Sequence, residues 1–465
     1  MPSTTPSASM NRLSKRLKKI PPPTLFLLSF VATIGAGTLL LGLPFSTVSG
    51  IQAIDALFTA TSAVCVTGLT VIDTGTSFTW FGQVVILLLI QIGGLGLMTL
   101  TVFFFRLLGM GVSIQHRMIM QETFSAAPRK ELISLLKAIF IFTAITELLG
   151  ATVLTLYWWG EFSLKRAACL GLFHAVSAFC NAGFSLFSDN LIPYYDAAVV
   201  NITIASLIVL GGIGFPVVYD LYRYARMRRR QRVKLSLQTQ AVLITTLALI
   251  LTGATLFFLF ERNITLKPLS LPVAIMASFF QSITARTAGF NTIDLAKIGE
   301  PAALLLMILM FIGASPGSCA GGIKTTTLSV LSAALWCRLR GQYPTRLFRK
   351  NIPEDILTKG LSILGLSLFF ISIVFFAVLV FQQSVNPIQN GLGDTFRIYL
   401  FETISAFGTV GLSMGATPVL SSGSKISLVV LMLIGRVGVI GFSYVFAPKI
   451  QHATISYSEE PIMIG

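Results

Sequence analysis

The 465-residue chain is 54% hydrophobic and only 11% charged, with a mean hydropathy of +0.81. Soluble domains carry about 25% charged residues, so the composition excludes an ordinary soluble enzyme or binding module and indicates a polytopic membrane protein, because charge is costly in hydrocarbon. The formal net charge of +16 would suit a nucleic-acid partner, but the basic residues sit where membrane topology puts them, and no nucleic acid is expected.

Residues 1 to about 20 are rich in Ser, Pro, Lys and Arg and read as a basic cytoplasmic tail without packed structure. No cleavable signal peptide is apparent. Eight apolar stretches follow, near 22–43, 80–105, 133–158, 197–219, 241–260, 301–335, 361–381 and 425–447. A helical crossing needs about 20 residues, and each stretch supplies that length. Most of the Lys and Arg fall in the N-terminal tail, in alternate polar connections and near the C-terminus. The positive-inside rule assigns that side to the cytoplasm, with both termini there. The densest cluster (Arg223, Arg226, Arg228, Arg229, Arg230, Arg232 and Lys234) reads first as a topology signal. A docking surface for anionic lipid or a cytosolic partner is the second reading.

The stretches form four pairs, and a related segment stands between the members of each: FTATSAVCVTGL, FHAVSAFCNAGF, FFQSITARTAGF and FETISAFGTVGL. In each a phenylalanine (Phe58, Phe173, Phe279, Phe401) precedes by ten residues a glycine (Gly68, Gly183, Gly289, Gly411). Similarity at a near-constant interval indicates copies of one module. The ten residues before each glycine are too short to cross a bilayer and suit a half-helix dipping in from outside. The expected fold is therefore an all-α membrane protein of four helix–pore loop–helix repeats with pseudo-four-fold symmetry about one pore. The repeats are placed at 21–110, 130–225, 238–338 and 355–448, with a cytoplasmic tail over 449–465.

The residues ending at the four glycines are Val66-Thr67-Gly68, Asn181-Ala182-Gly183, Thr287-Ala288-Gly289 and Thr409-Val410-Gly411. The side chains vary while glycine persists, as a site built from backbone oxygens requires. Four such backbones around an axis form a ring of carbonyls that replaces the water shell of a hard cation such as potassium. Asp73, Asp189 and Asp294 follow their glycines closely. They are expected at the outer mouth, concentrating cations there, with ordinary loop carboxylates as the alternative. Asp55 and Glu402 read as acids near the starts of short helices, where they complement the dipole. Glu147 reads as a structural acid paired with a neighbouring helix.

The second apolar stretch of each pair carries its own glycine, Gly93, Gly211, Gly313 or Gly435. Close helix packing through small residues accounts for the first two. In the third, Gly313-Ala314-Ser315-Pro316-Gly317-Ser318-Cys319-Ala320-Gly321-Gly322 followed by Lys324 must interrupt the helix. Unwound backbone at that depth has to be buried in protein or line a water-filled cavity. In the fourth, Arg436 places a charge at the equivalent depth. Loop and arginine are expected to face the axis just below the glycine ring.

Nothing suggests catalysis. Gly317 to Lys324 only mimics a phosphate loop, with one residue too many and inside an apolar stretch. Five cysteines, four of them (Cys65, Cys169, Cys180, Cys319) in or beside the pore segments, suit small packed thiols rather than a disulfide framework. His116, His174 and His452 have no metal-site spacing.

From about residue 25 to the end these motifs resemble the superfamily of potassium transporters that includes TrkH, KtrB and the plant HKT proteins. The short tail before the first module and the ending EEPIMIG are most similar to its KtrB branch. The resemblance implies an ion-translocating subunit, not an enzyme, of a potassium uptake system in the bacterial inner membrane, passive or sodium-assisted. By that likeness Gly68 falls on the potassium-selective side, Gly313 to Lys324 matches an intramembrane gating loop, and Arg436 matches an arginine projecting into the path. It further implies a homodimer on a cytosolic KtrA-like ring. Any nucleotide is held by that partner; this chain has no cofactor and takes only K+, with Na+ left open. Asn181 and Ala182 depart from a potassium-channel filter. The alternative function is an alternating-access carrier for another substrate.

Overall fold

The computed structural model describes residues 22–96, 132–227, 234–383 and 392–446. The expected tails over 1–20 and 449–465, the repeat edges at 110 and 130, His116, His452 and the basic residues Arg228, Arg229, Arg230 and Arg232 lie outside the described residues. Among the described residues the regular structure is helical, apart from one two-stranded hairpin pairing β1 (Arg346–Leu347) with β2 (Lys350–Asn351).

Four units repeat one plan. The first has α1 (Pro22–Leu41), a short helix α2 (Ala53–Val64) and α3 (Trp80–Leu95). The second has α4 (Leu132–Trp158), short α5 (Leu164–Phe179), α6 (Ala198–Gly212) and α7 (Phe215–Met227). The third has α8 (Leu237–Glu261), short α9 (Leu271–Thr284), α10 (Glu300–Phe311) and α11 (Thr325–Leu339). The fourth has α12 (Glu354–Gln383), short α13 (Leu392–Gly408), α14 (Ser422–Val437) and α15 (Val439–Phe446).

Local chemistry sets the boundaries. Ser236 caps α8 by accepting from the Thr239 amide at 3.1 Å, and Ser421 caps α14 by accepting from the Ser424 amide at 3.2 Å. Pro272 and Pro301 open α9 and α10, where a missing N–H costs nothing. The apolar helices 138–158, 237–261 and 354–383 are each long enough to cross a bilayer unbroken.

The second stretches are not continuous at 197–219 and 425–447, contrary to expectation, and of 80–105 the described part is a helix that stops at Leu95. α3 ends at Gly96 (φ 81°), α6 and α7 meet at Gly214 (φ 92°) with a bend of 92°, and α14 and α15 meet at Gly438 (φ 90°). Left-handed backbone is cheap only for glycine, so each stretch is cut where glycine permits the turn. The third, expected to break, does so over 312–324. Apolar composition hid the other breaks because it does not register a single glycine torsion.

The units close into a ring. The second helix of each packs on the short helix of the next: α3 on α5, α6 on α9, α10 on α13, and α14 back on α2. At that last seam Lys425 Nζ meets Asp55 Oδ1 at 2.7 Å, both side chains nearly buried.

Candidate functional site

The short helices α2, α5 and α9 end at Val64, Phe179 and Thr284, just before their glycines, and α13 runs on to Gly408. The C-terminus of each, the partially negative end of a helix, therefore lies within a few residues of its glycine. There the backbone takes the same form four times. Gly68, Gly183, Gly289 and Gly411 have φ of 93°, 70°, 77° and 91°, and two residues earlier Val66, Asn181, Thr287 and Thr409 have φ of 58°, 60°, 84° and 50°. Left-handed torsions at β-branched Val66, Thr287 and Thr409 are strained, and such strain persists only where the surroundings impose it.

The four glycines face one another in cyclic order. A side chain on Gly68 would run into the Ala182 carbonyl oxygen, on Gly183 into that of Ala288, on Gly289 into that of Val410, and on Gly411 into that of Thr67. Each glycine thus leaves room for the carbonyl of the next segment. The cycle closes after four steps. Thr67, Ala182, Ala288 and Val410 are fully buried. The Asn181 carboxamide turns away from it; in the orientation that satisfies both its ends it donates to Ala178 O at 3.0 Å and Ile208 O at 3.2 Å.

Hydrogen bonds from behind hold the ring. Ser62 Oγ accepts from the Gly68 amide at 3.0 Å and Ser405 Oγ from the Gly411 amide at 3.1 Å; Ser177 Oγ donates to Phe184 O at 2.8 Å. These serines stand six residues before the glycine, where the third segment has Ile283. A second support lies nine residues before it. Buried Glu402 accepts from Ser413 Oγ at 2.5 Å, the Met414 amide at 3.1 Å and Thr417 Oγ1 at 2.7 Å, and His174 Nε2 pairs with Ser185 Oγ at 3.0 Å. Both roles were missed, although the shared Ser-Ala of three segments was a legible signal. Glu402 also corrects an expectation: α13 starts at Leu392, so this acid braces the loop after the glycine instead of the helix start. Asp55 does lie in the first turn of its helix and is paired with Lys425.

Above the ring is a cavity of about 290 Å³ that touches all four glycines and also Asp73, Asp189 and Asp294. Two of these acids have local duties as well. Asp73 accepts from the Gly75 and Thr76 amides at 2.8 Å each, and Asp294 accepts from the Ala296 amide at 3.1 Å and pairs with Lys297 at 2.9 Å. Partial burial acts to raise the pKa of Asp73, but hydrogen bonds from Ser188, Thr76 and Gly75 outweigh it and leave the group below the ordinary carboxylate value. It is therefore anionic at neutral pH.

On the side of the pore segments where Thr409 lies, the 312–324 loop is bonded to the second, third and fourth units, and Arg436 ties it to the first. Ser315 N donates to Gly212 O at 3.2 Å, Cys319 N to Gly211 O at 3.3 Å, and Phe215 N to Gly317 O at 3.1 Å, so the broken ends of α6 and α7 satisfy the unwound backbone. Thr325 N donates to Ala314 O at 3.2 Å and Lys324 Nζ to Ala320 O at 2.6 Å. A side chain on Gly321 would strike Thr409 of the fourth pore segment. Arg436 donates one guanidinium nitrogen to Cys319 O in the loop and the other to Gly93 O at the end of α3. Gly93 is thus more than a packing residue. Glu147 does not neutralise Arg436; it pairs with Gln91 Nε2 at 3.2 Å and lies 3.9 Å from the Cys180 thiol. Cys65, Cys169, Cys180, Cys319 and Cys337 are free thiols.

The family model TrkH, described as cation transport protein, matches residues 28–456. The chain is 40% identical to the Ktr system potassium uptake protein B of Bacillus subtilis over 96% of this chain and 97% of that one. It is 37% identical to the protein of the same description from Vibrio alginolyticus, over 95% of each chain. It is 36% identical to the potassium/sodium uptake protein NtpJ of Enterococcus hirae, over 98% of this chain and 100% of that one. The crystal structure of the potassium transporter TrkH from Vibrio parahaemolyticus superposes with a TM-score of 0.69 at 18% identity, covering 91% of this chain and 84% of that one.

Proposed function

This chain belongs to the TrkH family of cation transport proteins, a multi-pass membrane family of transporters and not of enzymes, and on that premise we propose that it is the ion-translocating subunit of a potassium uptake system. The observation that carries the proposal is the closed cycle of glycines, each making room for a carbonyl of the next segment. A cation entering from the outer cavity leaves its water for backbone oxygens at the ring formed by Val66 to Gly68, Asn181 to Gly183, Thr287 to Gly289 and Thr409 to Gly411. The C-terminal ends of four short helices add favourable potential there. Asp73, Asp189 and Asp294 raise the local cation concentration.

Beneath the ring the 312–324 loop is the gate. Arg436 holds it closed by bridging Cys319 O and Gly93 O, and its charge opposes an approaching cation. Opening requires the loop to leave the axis, which exchanges these bonds for others. A cytosolic regulatory subunit that binds nucleotide would drive that exchange, with the translocating chain as a homodimer in the bacterial inner membrane and both termini cytoplasmic. The names of the relatives support a multi-subunit system, and one of them names sodium beside potassium. The cyclic order of helix contacts supports a central path over two rocking halves.

Uptake by cells lacking their own potassium systems, with potassium, rubidium and sodium compared, tests the proposal. Rubidium and potassium uptake that sodium competes with weakly is the expected result. A membrane-inserted protein that moves neither ion would refute it.

A further inference from the structure

In the topology proposed above, helix α11 runs from the proposed gate toward the cytoplasmic surface. Its N-cap is Lys324, the last residue of the loop, and it runs to Leu339. At 1.5 Å per residue it carries the chain roughly 20 Å from the level of the loop. The hydrocarbon half-thickness is about 15 Å. On this scale Trp336 stands at the boundary of hydrocarbon and headgroups, and the connection 340–353 that leads to α12 at headgroup depth.

The residue types match that depth. Trp336 is 58% exposed, and the Arg340 guanidinium lies over its ring at 4.5 Å. An indole at the interface with a cation beside it is the usual anchor of a helix end. Arg338, Arg340, Arg346, Arg349 and Lys350 are all exposed within this segment, and none is in an ion pair among the described residues. The nearby acids are Glu354, which accepts from Tyr343 Oη at 2.5 Å, and Asp355. At the tip of the β1–β2 hairpin Phe348 and Arg349 have φ of 46° and 63°. The segment is therefore built as a turn that presents cations, not as a random loop.

We infer that the 336–350 segment binds anionic phospholipid headgroups of the cytoplasmic leaflet, and that this contact biases the loop at the other end of α11. The inference rests on the transport reading for its consequence but not for the binding itself. Each Lys or Arg near an anionic surface contributes enough for about a fivefold change in affinity, and the phosphate charge complements five cations facing two acids.

The test uses the purified full-length protein. Phosphatidylglycerol, but not phosphatidylcholine, is expected to raise its thermal midpoint. Replacing Arg338, Arg340, Arg346, Arg349 and Lys350 together with Gln should abolish that difference. Arg349→Gln with Lys350→Gln, at the exposed hairpin tip, should weaken it in a variant that keeps its fold. In proteoliposomes, rubidium flux of the native chain should rise severalfold when phosphatidylglycerol replaces part of the neutral lipid, and the variants should lose that response. Equal midpoints in both lipids, or a variant that responds like the native chain, would overturn the inference whatever the flux. A variant that keeps the lipid effect but loses activation by a cytosolic subunit would assign the patch to that partner and equally overturn it. Absence of rubidium flux in any lipid, with the midpoint shift intact, would count against the transport reading alone.

Discussion

Arg436 is the residue on which two jobs converge: its fork reaches a carbonyl of the loop and one of α3 at once. Alanine removes the charge and both tethers, so flux per folded molecule should rise while potassium preference stays, since the ring is untouched. Lysine keeps the charge but lacks a planar fork, and its flux should fall between the two. Rubidium flux normalised to folded protein checks both; a destabilised Arg436→Ala protein with no gain in flux would refute the gating role. The Asp55–Lys425 pair makes a different prediction. Breaking a buried pair on one side costs on the order of 3–5 kcal/mol, whereas apolar replacement of both is often near neutral. Asp55→Leu or Lys425→Met alone should lower the thermal midpoint strongly, and the double variant should recover most of the loss. Additive losses would show that the pair is not what closes the ring.

At the scale of elements, the loop is an unwound turn bonded to its neighbours. Its amides use Gly211 and Gly212 oxygens, and its Gly317 oxygen serves the amide of Phe215. If the loop is the gate proposed above, deleting Ala314 to Ala320 removes an obstruction and leaves the Gly211 and Gly212 oxygens and the Phe215 amide to water. Flux should increase and become less dependent on a regulatory subunit; a folded protein with no transport would mean that the segment is structural. This loop was legible in the sequence, because Pro316 and a run of small residues cannot continue a helix. The breaks at Gly96, Gly214 and Gly438 were not. A lone glycine in an apolar run reads as packing, and only the meeting of the units at one level reveals that each helix must stop there. The supports of the ring were legible in part. Ser62, Ser177 and Ser405 repeat visibly, whereas Glu402 and His174 do the same work with unlike chemistry, which no pattern search equates.

For the whole molecule, ring closure explains why four dissimilar units act as one. No unit completes the cycle of glycines alone, and each glycine is crowded by the backbone of its neighbour. The repeat and its glycines were readable because period and residue type survive divergence; their cyclic order needed the packing of each second helix on the next short helix. Gly68 is one of the four equivalent positions at which that order can be tested. It keeps φ at 93° and abuts the Ala182 carbonyl, so any side chain there must displace an oxygen of the ring. The direct measurement is rubidium and sodium influx into proteoliposomes for the native chain and Gly68→Ser at matched folded protein. The account predicts that the native chain prefers rubidium and that the variant loses roughly tenfold or more of that preference, a change of about 1.4 kcal/mol in relative barrier, while still conducting. A variant with native selectivity would contradict it.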